Sequence, residues 1–261
     1  MSLPIAILHG FSVRYRAGGV AHAALSSVNL EILEGERLAI IGESGSGKST
    51  LALALASLLP ENAVQGGVIS WPGLGREPVA GRDIGFIFQD ASASLNPVLT
   101  IGEQIAEVVR RHKGLGWRAA LAEAQELLAK LRIPQSEQVL RSFPHQFSGG
   151  QRQRIAIAAA IAAGPKLLIA DEPTSALDTI VQAEIIRLLD QLVREAGMTL
   201  VFITHDIALA SGFADRIAVF HQSRLVETGE ARRLLTDPKE NYTRRLIESS
   251  IDLTTPSMVA S

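Results

Sequence analysis

The chain has no cysteine among its 261 residues, which excludes disulfides, thiolate zinc sites, cysteine-held iron–sulfur clusters and cysteine nucleophiles. A reducing compartment is compatible with that absence, though absence alone does not establish it. There is no excess of one charge either: 25 basic side chains stand against 27 acidic ones, a formal net charge of −2. A global positive field to hold a nucleic-acid backbone is therefore missing, although a local basic patch would survive that sum. Long apolar runs are also missing, despite a mean hydropathy of +0.20. The longest are Leu51 to Leu59, interrupted by Ser57, and Ile155 to Ala163. Each is about half of the ~20 residues that cross hydrocarbon, and both read as buried helices. Met1 to Gly10 lacks a basic stretch and carries Pro4, so no secretory signal is expected there. The expectation is a soluble protein that stays where it is made. With 47% hydrophobic and 20% charged residues, the composition is that of a globular domain. No internal repeat or low-complexity tract is present.

Along the chain, β-like pieces come first, then helical spacing, then an alternation of the two. Phe11 to Arg16 and Ser27 to Ile32 read as strands separated by an Ala17-Gly18-Gly19 turn. Apolar runs at Arg37 to Ile41, Ile84 to Phe88, Leu167 to Ala170, Leu200 to Thr204 and Arg216 to Phe220 suit a parallel sheet covered on both faces. Between them, Ile101, Ile105 and Val108 form one helical stripe, and Leu121, Ala124, Leu127, Leu128 and Leu131 another. Ile133-Pro134 is expected to end the second helix, because a residue before proline is pushed out of the α region. These stripes predict a helical subdomain over about 92–160, inserted in a single α/β domain that spans 1–261. The stretch 236–261 reads as a polar tail that frays at Thr254-Thr255-Pro256-Ser257.

Gly42-Glu43-Ser44-Gly45-Ser46-Gly47-Lys48-Ser49 fits G-x-x-x-x-G-K-[ST] at every fixed position. Such a loop curls so that its amides face a β-phosphate, its lysine adds charge at the β and γ oxygens, and its serine ligates Mg²⁺. A helix following from Thr50 to Leu58 would aim its positive end at the same anion. The motif establishes nucleoside triphosphate binding, not the use made of the energy. A second feature is the apolar run Leu167-Leu168-Ile169-Ala170 ending in Asp171-Glu172. Unpaired carboxylates in an apolar setting are costly; Mg²⁺ held by Asp171 opposite Ser49 would compensate, leaving Glu172 to polarise the attacking water. On its own the same pair also reads as an acidic loop. A third is Ser148, a good N-cap, followed by Gly149-Gly150, which would open the amides of a helix running to Ala163 and stopped by Gly164-Pro165. In isolation that is an ordinary cap or a second anion site.

Phe147-Ser148-Gly149-Gly150-Gln151-Arg152-Gln153-Arg154 closely resembles the signature sequence of ATP-binding cassette (ABC) ATPases, and other motifs stand in the family's order. Gln89 resembles the Q-loop glutamine, which implies contact with Mg²⁺ and the transmembrane partner. Ser175-Ala176-Leu177-Asp178 resembles the D-loop that crosses a dimer interface. His205 resembles the switch histidine that contacts the γ-phosphate, and Tyr15 is the candidate to stack on adenine. The resemblance implies a P-loop NTPase fold with an N-terminal antiparallel β subdomain and the inserted helical subdomain. It also implies ATP and Mg²⁺ as cofactors, with Gly42 through Thr50 as the nucleotide loop. Lys48, Gln89, Glu172 and His205 are then catalytic, and Ser49, Gln89 and Asp171 hold the metal. Ser148, Gly149, Gly150 and Gln151 close over the ATP of a second cassette in a head-to-tail dimer, identical or homologous.

Phe88-Gln89-Asp90-Ala91 through Asn96-Pro97, Phe143-Pro144-His145-Gln146, and Asp237-Pro238 through Leu246 look like the branch that imports peptides, nickel and metal-chelating opines. Ala91 stands where that branch usually has proline, and Gln222-Ser223 fills a hairpin turn where glycine is usual. Peptide members commonly carry a longer, cysteine-bearing extension, so the cysteine-free chain tilts the expectation toward nickel or metallophores. The resemblance implies two membrane permease subunits as partners, an extracytoplasmic solute-binding protein acting indirectly, and a peripheral position on the cytoplasmic face of the inner or plasma membrane. The stretch from Gln89 to Ile101 would link the nucleotide to helices where the permease docks. An export ATPase is the nearer rival. A soluble cassette acting on nucleic acid or ribosomes is disfavoured by the near-neutral charge and by the stretch of about 100 residues, without sustained heptads, that separates Lys48 from Ser148. The cargo is not written in the sequence.

Overall fold

Two long strands, β1 (Pro4–Ala17) and β2 (Val20–Leu33), form an antiparallel hairpin, and β4 (Ala63–Ser70) adds to the far edge of β1, giving the order β2-β1-β4. The expected short pieces are interior parts of this hairpin. Its alternation is broken by register shifts around Gly10 and by Ser27, whose φ is +51°, so a strict period of two sees only fragments. The computed structural model describes residues 3–18, 20–175 and 177–254. Met1 and Ser2, Gly19 of the expected turn, Ala176 of the D-loop and 255–261 of the tail lie outside the described residues.

The chain divides into two units, Met1–Arg76 with Val201–Ser261, and Glu77–Leu200. In the first, β3 (Arg37–Gly42) is buried along almost its whole length and leads through the phosphate loop into α1 (Lys48–Leu55). That helix stops short of the expected Leu58, because Ser57 turns left-handed at φ +58°.

The second unit opens on β5 (Ile84–Ile87), continues through α2 (Ala91–Ser94), α3 (Ile101–Lys113), α4 (Trp117–Lys130) and α5 (Ser136–Val139), and reaches α6 (Gly149–Ile161). Then come β6 (Leu167–Asp171), parallel to β5, and α7 (Thr179–Ala196). The helical stripes lie slightly off the expected ones. Helix α3 buries Ile101, Ile105 and Val109 rather than Val108, and α4 buries Ala120, Ala124 and Leu128 while Leu121 and Leu127 are only half-buried. Spacings of four carry the contact, the near-straight row along a helix face. Helix α4 ends before Ile133-Pro134, where Arg132 adopts φ +56°.

The chain returns to the first unit within β7 (Thr199–Thr204) and continues through α8 (Ile207–Ser211), β8 (Arg216–His221), β9 (Arg224–Glu230), α9 (Ala231–Thr236) and α10 (Asn241–Thr254). Strand β8 runs parallel to β3, and β9 runs antiparallel to β8. The tail read as polar is mostly the helix α10, whose Ile247 joins Ala39, Ile41, Ile217 and Val219 in one apolar cluster. The turn Gln222-Ser223 has φ of +45° and +66°, the backbone of a type I′ hairpin. Serine is held there because its Oγ donates to Ala23 O at 3.1 Å and its carbonyl accepts from Ser26 N at 2.7 Å. Among the described residues no helix is long and apolar enough to cross a membrane.

Helix α3 is entered through a full capping box: the Glu103 amide donates to Thr100 Oγ1 at 3.3 Å, and the Thr100 amide to Glu103 Oε2 at 2.8 Å. Bonds from the Thr100 hydroxyl and amide hold the Glu103 carboxyl below its ordinary value of 4.5. Thr100→Ala should lower the melting temperature by about 2–4 °C, the shift of a cap worth ~1 kcal/mol in a chain of this size. A depressed carboxyl stabilises above its unfolded value and stops doing so as the pH falls through the folded one. The difference between the two proteins, followed by calorimetry, should therefore shrink as the pH drops below 4.5.

Candidate active site

In the first unit, the phosphate loop leaves β3 at Gly42, whose neighbour across the ladder is Phe220 of β8. Two of its glycines are required by space. A Cβ on Gly42 would meet Phe220 O at 2.1 Å, and one on Gly47, at φ +104°, would meet Ala24 O at 2.4 Å. Only a residue without a side chain lets the loop lie this close to the strands beneath it. Gly47 is also the N-cap of α1 and puts no side chain over the helix's positive end, the end that favours an anion. Lys48 is 5% exposed, and its Nζ donates to Gly42 O and Glu43 O at 2.8 Å each. Ser46 Oγ is buried and has no hydrogen-bond partner, the condition of a hydroxyl that a phosphate oxygen would satisfy. Tyr15, on β1, is half-buried, and its hydroxyl donates to Thr50 Oγ1 at 3.3 Å. His205 is exposed directly after β7, where Asp206 caps α8 through the Leu209 amide at 3.0 Å.

In the second unit, β6 carries Asp171 and Glu172 to its end. Asp171 is 8% exposed. Glu172 has φ +45°, a left-handed conformation that costs a non-glycine residue about 1 kcal/mol or more. The turn that holds it is closed by Ser175, whose amide and hydroxyl both donate to Glu172 O, at 3.3 and 3.2 Å. Gln89, two residues past β5, donates from Nε2 to Glu172 Oε2 at 3.4 Å. The parallel register of β5 on β6, with Ile87 beside Ala170, is what brings them together.

Ser148 and Gln151 form a capping box at the start of α6, the Gln151 amide donating to Ser148 Oγ at 3.3 Å and the Ser148 amide to Gln151 Oε1 at 3.0 Å. Asp178 caps α7 by accepting from the Ile180 and Val181 amides at 3.1 and 3.0 Å. The two caps are neighbours: a Cβ on Gly150 would come within 2.7 Å of Val181 Cγ1, and Arg154 pairs with Glu184 at 2.7 Å. The sequence offered no sign of this contact, since its partners lie about 30 residues apart along the chain.

The "ABC transporter" family pattern matches residues 25–175. This chain belongs to the ABC transporter family. It is 41% identical to the peptidoglycan transport ATP-binding protein YejF of Agrobacterium fabrum over 254 residues, 94% of this chain and 46% of that protein. It is 42% identical to the oligopeptide transport ATP-binding protein OppD of Bacillus subtilis over 248 residues, 91% of this chain and 69% of that protein. The chain thus spans less than half the length of the first of these ABC relatives. Its fold is that of the dimeric cassette MJ0796 in a post-hydrolysis state bound to ADP and Pi, with a TM-score of 0.75, 32% identity, and coverage of 87% of this chain and 99% of that one. The P-loop NTPase fold expected from the motifs is therefore present. The names of these ABC relatives speak of peptides and peptidoglycan, and the tilt toward nickel finds no counterpart in them.

As a cassette, the chain has, within its first unit, groups that suit a nucleotide's phosphates: a helix start without a side-chain cap, a buried lysine and an orphaned hydroxyl. Among the described residues there is no cluster of three or more His, Cys, Asp or Glu, and Mg²⁺ on a nucleotide needs none, since phosphates and water complete its shell. Gly47→Ala should weaken ATP binding by roughly 10- to 100-fold, because strain of about 1–3 kcal/mol is relieved only by moving the loop. Titration calorimetry of the purified chain reads this directly.

Proposed function

We propose that this chain is the ATP-hydrolysing subunit of an importer for a peptide-class solute, working with two membrane permease subunits and a second cassette. The observation that carries the reading is the Glu172 turn: a strand-end carboxylate in a left-handed conformation, bonded to Gln89, in a chain that also holds a complete phosphate loop. Glycine would relieve the strain at that position, and glutamate occupies it. The peptide class rests on what the relatives are named for and on the branch-like segments around Gln89 and Tyr242.

In this reading the ATP phosphates lie on the loop from Gly42 to Thr50, with Ser44, Gly45 and Ser46 curling around the β-phosphate. Lys48 neutralises the β and γ oxygens, and the Tyr15 ring stacks on adenine. Ser49, Asp171 and Gln89 would hold Mg²⁺, which neutralises charge on the β- and γ-phosphate oxygens when bound. Glu172 accepts a proton from water as the water oxygen bonds to the γ-phosphorus and the bond from that phosphorus to the ADP oxygen breaks. The proton ends on the carboxylate, and ADP and phosphate leave. Gln89 aims the carboxylate through its hydrogen bond, and His205 contacts the γ-phosphate.

Ser148, Gly149, Gly150 and Gln151 act on the ATP of the partner cassette, and Ser175 and Asp178 carry that contact along the interface. Because Gly150 packs on Val181, a shift at the D-loop is felt at the signature helix. ATP favours the closed pair because it binds two half-sites at once, and its hydrolysis removes that differential affinity. The chain would sit peripherally on the cytoplasmic membrane face, touching the permease through helices of 92–160.

Glu172→Gln keeps the shape of the side chain and removes its ability to take the proton. It should bind ATP within about threefold of the parent, lose ~100-fold or more in turnover, and accumulate an ATP-dependent dimer on size-exclusion chromatography. Undiminished hydrolysis would remove Glu172 from its role.

A further inference from the structure

Helix α10 lies close to the nucleotide loop, although its Tyr242 is 199 residues from Glu43 in sequence. The Glu43 amide donates to the Tyr242 hydroxyl at 3.3 Å. That amide belongs to the same peptide unit as the Gly42 carbonyl, which accepts from Lys48 Nζ at 2.8 Å. One peptide plane is thus held from both sides, by a phenol on its N–H and by the loop lysine on its C=O. A planar peptide cannot turn one group without turning the other. The ring itself is fixed: the His221 imidazole, at the end of β8, stacks on it with centroids 3.9 Å apart and planes 25° from parallel. Burial first, and then the Glu43 carboxylate nearby, push the Tyr242 phenol above its usual 10, so a neutral hydroxyl faces the loop.

We propose that Tyr242 is a positioning residue for nucleotide binding: its hydroxyl orients the Gly42–Glu43 peptide and, through that peptide's carbonyl, Lys48. The inference rests on the reading of this loop as the ATP site. It gives the Asp237-to-Leu246 segment a task at the loop. The helix is anchored for it, since Ile247 belongs to the apolar cluster that includes Ala39 and Ile41 of β3, the strand that delivers the loop. Without the hydroxyl the peptide is held on its carbonyl side alone, and one of the two carbonyls that preset Lys48 for the phosphates is less firmly oriented.

The test uses the full chain and three proteins. Tyr242→Phe keeps the ring, its stacking and its burial, and removes only the acceptor. Loss of one hydrogen bond to the backbone should raise the calorimetric Kd for MgATP, and KM with it, by about three- to tenfold. The melting temperature and kcat should stay near those of the parent. Leu128→Ala, a core truncation in α4 of the other unit, should lower the melting temperature and leave the Kd alone. An unchanged Kd in Tyr242→Phe would overturn the proposal. So would an equal loss of affinity in Leu128→Ala, which would make the effect one of general stability. Parent protein that binds no ATP would instead remove the reading of the loop on which the proposal stands.

Discussion

The fold depends on presenting backbone amides to an anion without any side chain in the way. Between β3 and α1 the chain must curl within a few residues, pass Phe220 O and Ala24 O at distances no Cβ tolerates, and still begin a helix with its amides uncapped. Glycines meet the steric demand, but they also leave the loop with the most conformational freedom to lose. The surroundings compensate by fixing the loop at many points. Strand β3 is buried beneath it, Lys48 bonds its first two carbonyls, Tyr15 reaches Thr50, and Tyr242 holds the Glu43 amide. The extra β-hairpin and the C-terminal helix have a common purpose in this light. They brace a segment that cannot brace itself.

The second unit meets a different constraint, which is to hold a carboxylate at a strand end in a shape the residue resists. Glu172 is kept at positive φ by two donors from Ser175 to its carbonyl and is met by Gln89 from the adjacent strand end. Such stored strain is stable only where surrounding bonds over-determine the backbone. Nearby, the caps of α6 and α7 are locked to each other through Gly150 and Val181. Each helix start is thereby held by its own side-chain cap as well as by its neighbour.

What the sequence made legible follows the locality of each feature. The phosphate loop, the Asp171-Glu172 strand end and the Ser148 cap are contiguous runs whose chemistry depends on neighbours a few residues away, and each was readable. The parallel strands were readable too, being unbroken apolar runs. Strand β4 was not, because Gly66-Gly67 and its exposed face remove both the pattern and the propensity. Nor was β9, whose residues are mostly half-exposed. Val108 was chosen over Val109 because spacings of three and four look alike until a neighbouring helix selects one. The hydroxyl of Tyr242 was beyond reach for another reason: only folding brings it to Glu43, 199 residues away along the chain.

The central proposal is that the phosphate loop and the Gln89–Glu172 pair take part in one ATP hydrolysis. Deuterium exchange of the full chain, with and without ATP and Mg²⁺, tests it most directly, because backbone amides report on both units at once. The account predicts slowed exchange in peptides covering 42–50 and also in those covering 89 and 171–175. Protection confined to 42–50 would contradict it.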